Sequence, residues 1–331
     1  MGMCLLLYIC SVVLTCNLVQ GDTDFKPNPN SLRFTMLADW GGMPDSPYRT
    51  PIEMAVGSAM GAIADTYGSQ FTLALGDNFY YDGVQNVDDP RFKNTFENVF
   101  VSKSLQNPWY FIAGNHDHNG NISAQIDYSK ISPRWNFPDT NYSKVFSIGN
   151  STKTLLVVMI DTIIICGNTD DAITGSKLDG PVDPAAAQAQ LQWIDDTLRK
   201  SNDTYIIVSG HYPVWSIAEH GPTECLLQQL KPMLEKYMVT AYCSGHDHSL
   251  QHIKGNDSVN YFVVGSGAIV DPSTNHTDAI PRGSLQFHYA DPNSLGGFAF
   301  VEMTHQSAVF TFIDATAHKD LYQTTLYPRK R

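Results

Sequence analysis

The sequence contains no apolar run of 18 residues or more, the length a helix needs to cross a bilayer, so no membrane-spanning segment is expected. It has no basic cluster larger than Arg329–Lys330–Arg331 at its C-terminal end. With 21 Lys and Arg against 33 Asp and Glu, the net charge is −12, and such a surface repels a nucleic-acid backbone. Neither nucleic acid nor a membrane is expected as a partner. There is no low-complexity linker. The 43% hydrophobic and 16% charged content of 331 residues excludes a disordered chain, a coiled coil and a collagen. What remains is a globular chain long enough to bury a large core.

The longest apolar stretch, Leu5 to Leu14, is too short to span but suits the core of a secretory signal. Val19-Gln20-Gly21 supplies small residues for cleavage after Gly21, although the segment lacks the usual Lys or Arg at its start. The expected organisation is a signal peptide over 1–21 and a single catalytic domain over 22–331, in the secretory pathway. Cysteine is scarce. Removing Cys4, Cys10 and Cys16 with the signal leaves Cys166, Cys225 and Cys243, enough for one disulfide and one free thiol. The spacing alone does not choose the pair. Six Asn-x-Ser/Thr sites, at Asn121, Asn141, Asn150, Asn202, Asn256 and Asn275, fit surface loops of a secreted glycoprotein.

Along the chain, short apolar runs end in polar clusters. Arg33–Ala38 leads to Asp39, Phe71–Leu75 to Gly76-Asp77, Trp109–Ala113 to Gly114-Asn115-His116-Asp117, and Leu155–Ile160 to Asp161. Tyr205–Val208 leads to His211, Met238–Tyr242 to Gly245-His246-Asp247-His248, and Tyr261–Val264 to Gly265. Runs of this kind bounded by glycine predict strands buried on both faces. Thr50-Pro51-Ile52-Glu53 predicts a capped helix to about Tyr67. Asp183-Pro184 opens another through Leu198, and Thr223 a third to about Tyr237, kinked at Pro232. Alternating strands and helices predict an α/β fold with parallel units. Ser284–Tyr289, Phe298–Met303, Ala308–Ile313 and Leu321–Tyr327 have no helices between them and predict an antiparallel extension completing a sheet.

Functional groups of open α/β sheets gather at the carboxyl ends of strands. Here those ends supply Asp39, Asp77, Tyr80, Asn115, His116, His211, His246 and His248. Oxygen and imidazole donors in this proportion suit iron, manganese or zinc rather than calcium. Asp117 and Asp247 are expected to orient neighbouring histidines, with Asp161 in a similar role, while His118, His252 and His276 are left as ordinary residues.

The ordered blocks Asp39-x-Gly41, Gly76-Asp77-x-x-Tyr80, Gly114-Asn115-His116-Asp117, Val208-x-x-His211 and Gly245-His246-x-His248 resemble the calcineurin-like metallophosphoesterases. Tyr80 and the segment His211–Gly221 resemble the purple acid phosphatases, specifically their small tartrate-resistant (type 5) branch, from about Leu32 to Tyr327. That resemblance implies a four-layer α/β/β/α sandwich of two mixed sheets flanked by helices. It implies Fe(III) held by Asp39, Tyr80 and His248, with Asp77 bridging to a second metal, Fe(II) or Zn(II), held by Asn115, His211 and His246. It implies hydrolysis of phosphate monoesters, phosphoproteins among them, by a metal-activated hydroxide. His116 would contact the phosphate and protonate the leaving group, and His220 would assist. The resemblance pairs Cys166 with Cys225 and places a protease-sensitive, activity-restraining loop at 173–184. A monomer, lysosomal or secreted, is expected.

Overall fold

The computed structural model describes residues 28–169 and 178–330. The expected signal segment, 1–21, and residues 173–177 of the 173–184 loop lie outside them. The strands are β1 (Leu32–Leu37), β2 (Phe71–Leu75), β3 (Trp109–Ile112), β4 (Trp135–Asn136), β5 (Tyr142–Ser147), β6 (Thr154–Met159) and β7 (Tyr205–Ser209). They continue as β8 (Ala241–Ser244), β9 (Leu250–Ile253), β10 (Asn260–Val264), β11 (Leu285–Tyr289), β12 (Gly297–Met303), β13 (Ala308–Asp314) and β14 (Lys319–Leu326). The helices are α1 (Pro51–Ile63), α2 (Asn115–His118), α3 (Ile122–Tyr128), α4 (Thr162–Cys166), α5 (Pro184–Lys200), α6 (Glu224–Gln229) and α7 (Lys231–Lys236).

Two mixed sheets form, ordered β14-β13-β12-β1-β2-β3-β4 and β11-β9-β10-β8-β7-β6-β5. Their strands alternate in what they bury, as a period of two requires. From β1, Phe34 and Met36 enter a core shared with Val157, Met159 and Ile207 of the second sheet, whereas Leu37 faces the opposite way. From β7, Tyr205 and Ile207 join that shared core while Ile206 and Val208 pack under α5, α6 and α7. The outer face of the first sheet carries an aromatic cluster around Trp40, with Phe96, Phe100, Trp109, Phe111 and Trp135 within about 6.4 Å, ring centre to ring centre. Three buried layers between four structural layers result. Each fully buried Leu, Ile, Val or Phe contributes on the order of 1.5–3 kcal/mol.

Some expectations are corrected. The C-terminal strands do not extend a single sheet: β12–β14 add to the first sheet through the antiparallel β1–β12 pair, whereas β11 closes the edge of the second against β9. β5 and β9 lie in segments where no strand was expected, because β5 is largely exposed and β9 follows the polar His248 block at once. The helix from Thr50 does reach the expected end near Tyr67, its last turn, Ala64–Gly68, being wider than the rest. The Thr223 helix breaks into α6 and α7, since Pro232 follows the break and cannot supply an N–H. Cys166 and Cys225 form a disulfide with Cα atoms 5.7 Å apart, and Cys243 is a buried free thiol.

Candidate metal centre

The parallel strands β1, β2, β3, β7 and β8 deliver their carboxyl ends to one place. Asp39 follows β1, Asp77 and Tyr80 follow β2, α2 follows β3, His211 follows β7, and His246 and His248 follow β8. Three of these residues take left-handed backbone conformations: Asp39 at φ 57°, Asp77 at φ 51° and His246 at φ 70°. Such conformations cost on the order of 1–3 kcal/mol each in a non-glycine residue, and they turn each side chain back over the strand ends. Glycine is required where the backbones meet. A Cβ on Gly114 would lie 2.1 Å from Asp77 Oδ1, and one on Gly245 would lie 2.3 Å from Asp39 Oδ2.

The donors converge. One ligand atom each from Asp39, Asp77 and His211 lie within 4.8 Å of one another, and all three residues are buried. The Tyr80 hydroxyl is 3.3 Å from Asp39 Oδ1 and 3.1 Å from His248 Nε2. His211 Nε2 is 3.0 Å from Asn115 Oδ1 and 3.3 Å from Asp77 Oδ1, while its Nδ1 faces the Leu75 carbonyl at 2.9 Å. With Nδ1–H donating to that carbonyl, Nε2 is the nitrogen aimed into the site. The His246 ring lies 5.2 Å from that of His211, and its backbone N–H donates to Asp39 Oδ2 at 2.9 Å.

The electrostatics of this group are unbalanced. Burial pushes Asp39 well above the usual carboxylate range, opposed by His211 and reinforced by Asp77. Burial also acts on Asp77, but the His211 and His116 imidazoles outweigh it and hold that carboxyl well below its usual value. His211 is raised to about 10, since Asp77 and Asp39 overcome the cost of burying its charge. Burial, Asp39 and Asp77 drive the Tyr80 phenol well above 10, and burial lowers His248 to about 4. Two buried carboxyl groups and a phenol, of which only Asp77 favours the ionised form, thus face one imidazolium. A multivalent cation would reverse the Tyr80 shift and displace protons from the ligands, so the donor set fits metal ions.

The flanking residues sort differently. His116 is half-buried, with its N–H donating to Asp77 Oδ1 at 3.1 Å and its Nε2 3.9 Å from Asp77 Oδ2. His220 is exposed and stacks on the His246 ring at 3.9 Å, and its N–H donates to Asp247 Oδ1. Among the described residues Asp117 accepts from backbone amides and from Gln125 rather than from a histidine. Its Oδ2 accepts the N–H groups of Gly114 and Asn78 at 2.8 and 3.0 Å, and burial beside Asp77 raises it to about 6. The expectation for Asp161 holds, but its partner is His118, at 2.7 Å, a residue read as ordinary. Its alternation with His116 on a one-turn helix was the available signal. Asn168 also escaped notice, and its Nδ2 donates to the Asn115 carbonyl at 3.3 Å and to Asn119 Oδ1 at 3.0 Å.

Two mixed sheets packed face to face, with acids and imidazoles at the carboxyl ends of their parallel strands, define a calcineurin-like phosphoesterase, and the model of that family matches residues 32–250. Sequence relatives narrow the class. The chain is 45% identical over 332 residues, covering all of both chains, to tartrate-resistant acid phosphatase type 5 of Homo sapiens. It is 47% identical to that of Oryctolagus cuniculus, over 91% of this chain and 92% of the relative. It belongs to the tartrate-resistant, type 5 branch of the purple acid phosphatase family. Among solved structures, GAP50, the anchor in the inner membrane complex of Plasmodium, superposes with a TM-score of 0.76 at 22% identity, over 91% of this chain and 90% of that one. At that identity the likeness is one of fold.

Proposed function

We propose that this chain is a secretory-pathway acid phosphatase that hydrolyses phosphate monoesters, phosphoproteins included, at a dinuclear centre. In this reading Asp39, Tyr80 and His248 would hold Fe(III), Asn115, His211 and His246 would hold Fe(II) or Zn(II), and Asp77 would serve both. The observation that carries it is the buried excess of acids, in which Asp39, Asp77 and the Tyr80 phenol share the His211 imidazolium. When bound, such an ion pair supplies a water of lowered pKa and polarises the phosphoryl oxygens.

The chain's own groups do the rest. The His116 ring is held by the Tyr81 carbonyl, 2.9 Å from Nδ1, which leaves Nε2 on the side of Asp77. From there it contacts the phosphate and gives a proton to the leaving oxygen as the P–O bond breaks. His220 stacks on His246, one of the residues that would hold the second metal, and would contact the ester from the exposed side. Residues 22–331 act as one catalytic domain after loss of 1–21. The 173–184 loop restrains activity until cut, and the enzyme is monomeric and lysosomal or secreted. Human and rabbit relatives named as acid phosphatases support the reaction class.

The test is the visible spectrum of the purified protein together with its metal stoichiometry. Two metals per chain including iron, with a phenolate charge-transfer band lost in Tyr80→Phe, are expected. A band that survives Tyr80→Phe, or a protein that turns over a chromogenic phosphomonoester at pH 5 equally well as His116→Ala, refutes the assignment of that residue.

A further inference from the structure

The end of β6, in the second sheet, sends the pair Asp161-Thr162 toward the site, and neither residue is among the proposed metal ligands or acid groups. Asp161 follows β6 and is fully buried. Its Oδ1 accepts the N–H groups of Ile163 and Ile164, each at 3.0 Å, capping α4. Its backbone is held from both sides by Gln190, whose Oε1 accepts the Asp161 N–H at 2.8 Å and whose Nε2 donates to the Asp161 carbonyl at 3.0 Å. One oxygen, Oδ2, is left over. It meets His118 Nε2 at 2.7 Å, and beside Asp161 the His118 pKa rises despite burial.

The next residue reaches the other half of the site. Thr162 Oγ1 accepts the N–H of Tyr212 at 3.0 Å, one residue after His211, and the Tyr212 hydroxyl donates to the Gly167 carbonyl at 3.2 Å beyond the end of α4. Asp161-Thr162 is therefore bound at once to the helix that carries Asn115 and His116 and to the loop that carries His211.

α2 needs such an anchor. It is a single turn of four residues, too short to hold its place by its own hydrogen bonds. Its start is tied to the first sheet, through Asp117 to the amides of Gly114 and Asn78. Its end is tied through His118 to the second sheet. His116 is also held by Asp77 and the Tyr81 carbonyl, and Asn115 by Asn168, but without the His118 tie the far end of the turn loses its link to β6 and His116 can shift with it.

From this geometry we propose that His118 and Asp161 are positioning residues for the phosphatase reaction. They brace the one-turn helix so that Asn115 and His116 keep their places relative to His211 across the junction of the two sheets. The pair touches neither substrate nor metal. It rests on the roles assigned above to Asn115 and His116. A misplacement of about 1 Å at such groups costs on the order of 100-fold in rate.

The test compares the metal-loaded full-length chain as wild type, His118→Ala, His118→Gln and Thr162→Val. The measurements are kcat and KM for a chromogenic phosphomonoester, metal stoichiometry and the unfolding midpoint. Glutamine can donate an N–H to Asp161 Oδ2 without carrying charge. His118→Ala is expected to lose 10- to 100-fold in kcat with KM changed less than threefold and two metals retained, and His118→Gln to recover most of that loss. Thr162→Val, which loosens the His211 side, is expected to weaken retention of one metal per chain under chelator. His118→Ala within twofold of wild type in kcat overturns the proposal, as does a His118→Gln variant no better than alanine. If His118→Ala does not fold, His118→Phe, which fills the space of the ring without an N–H for Asp161, takes its place: kcat within twofold of His118→Gln overturns the proposal. Failure of the underlying assignment appears separately, as an active His116→Ala.

Discussion

Glu53 offers a measurable link between the fold and acidic conditions. It lies in the first turn of α1, fully buried, where its Oε2 accepts the Thr50 N–H at 3.1 Å and its own N–H donates to Thr50 Oγ1 at 3.0 Å. Its Oε1 is buried with no hydrogen-bond partner among the described residues. Burial raises its pKa from 4.5 to about 9, against the smaller opposing effects of the Thr50 N–H and Arg49. The folded chain therefore keeps a proton that the unfolded chain releases above pH 4.5. Stability from this group is full below pH 4.5 and is lost as pH climbs toward 9, at about 1.4 kcal/mol per pH unit. Between pH 5 and 7 the loss is on the order of 2–3 kcal/mol.

Glu53→Gln keeps the acceptor oxygen for Thr50 and cannot ionise. The difference in unfolding free energy, variant minus wild type, should therefore grow by on the order of 2–3 kcal/mol from pH 5 to 7. Urea unfolding of both proteins at pH 5, 6 and 7 measures this, because all other titrating groups are common to the two and cancel. Parallel pH curves would refute the reasoning and mean that Glu53 is ionised in the folded protein.

Two further outcomes are expected. Gly114→Ala places a methyl group 2.1 Å from Asp77 Oδ1 and 2.4 Å from the Asp77 amide nitrogen; it should lower stability by about 1–3 kcal/mol and abolish turnover. Wild-type kcat with an unchanged unfolding midpoint would contradict the packing described around Asp77. Limited proteolysis within 173–184 should raise kcat several-fold, since the segment entering it is tied at Asn168 to the carbonyl of Asn115. Equal rates before and after complete cleavage there would remove the restraining role.

The sequence by itself determined the strands that matter and the chemistry at their ends. Buried strands such as Phe71–Leu75 and Tyr205–Ser209 are mostly apolar because both faces are covered, and each is followed at once by a glycine that leads into a polar donor. Local signals of that kind mark Asp39, Asp77, Asn115, His211, His246 and His248 in the sequence itself. Thr50-Pro51-Ile52-Glu53 likewise specified its capping box, because both hydrogen bonds close within three residues.

What only the tertiary structure decided depends on contacts distant along the chain. β5 is an edge strand with an exposed face and no distinctive pattern, and β11, though legible as a strand, gave no sign of its sheet, so their places come from pairing with β6 and β9. Asp117 and Asp161 are equally plausible partners for a histidine in one dimension. One turned to backbone amides and the other to His118 because the two sheets bring His118 and Asp161, 43 residues apart, to 2.7 Å. Composition set an acidic chain of net charge −12. Only folding gathered two of those acids and a phenol into one buried place, where burial without enough imidazolium to balance them creates the demand for metal.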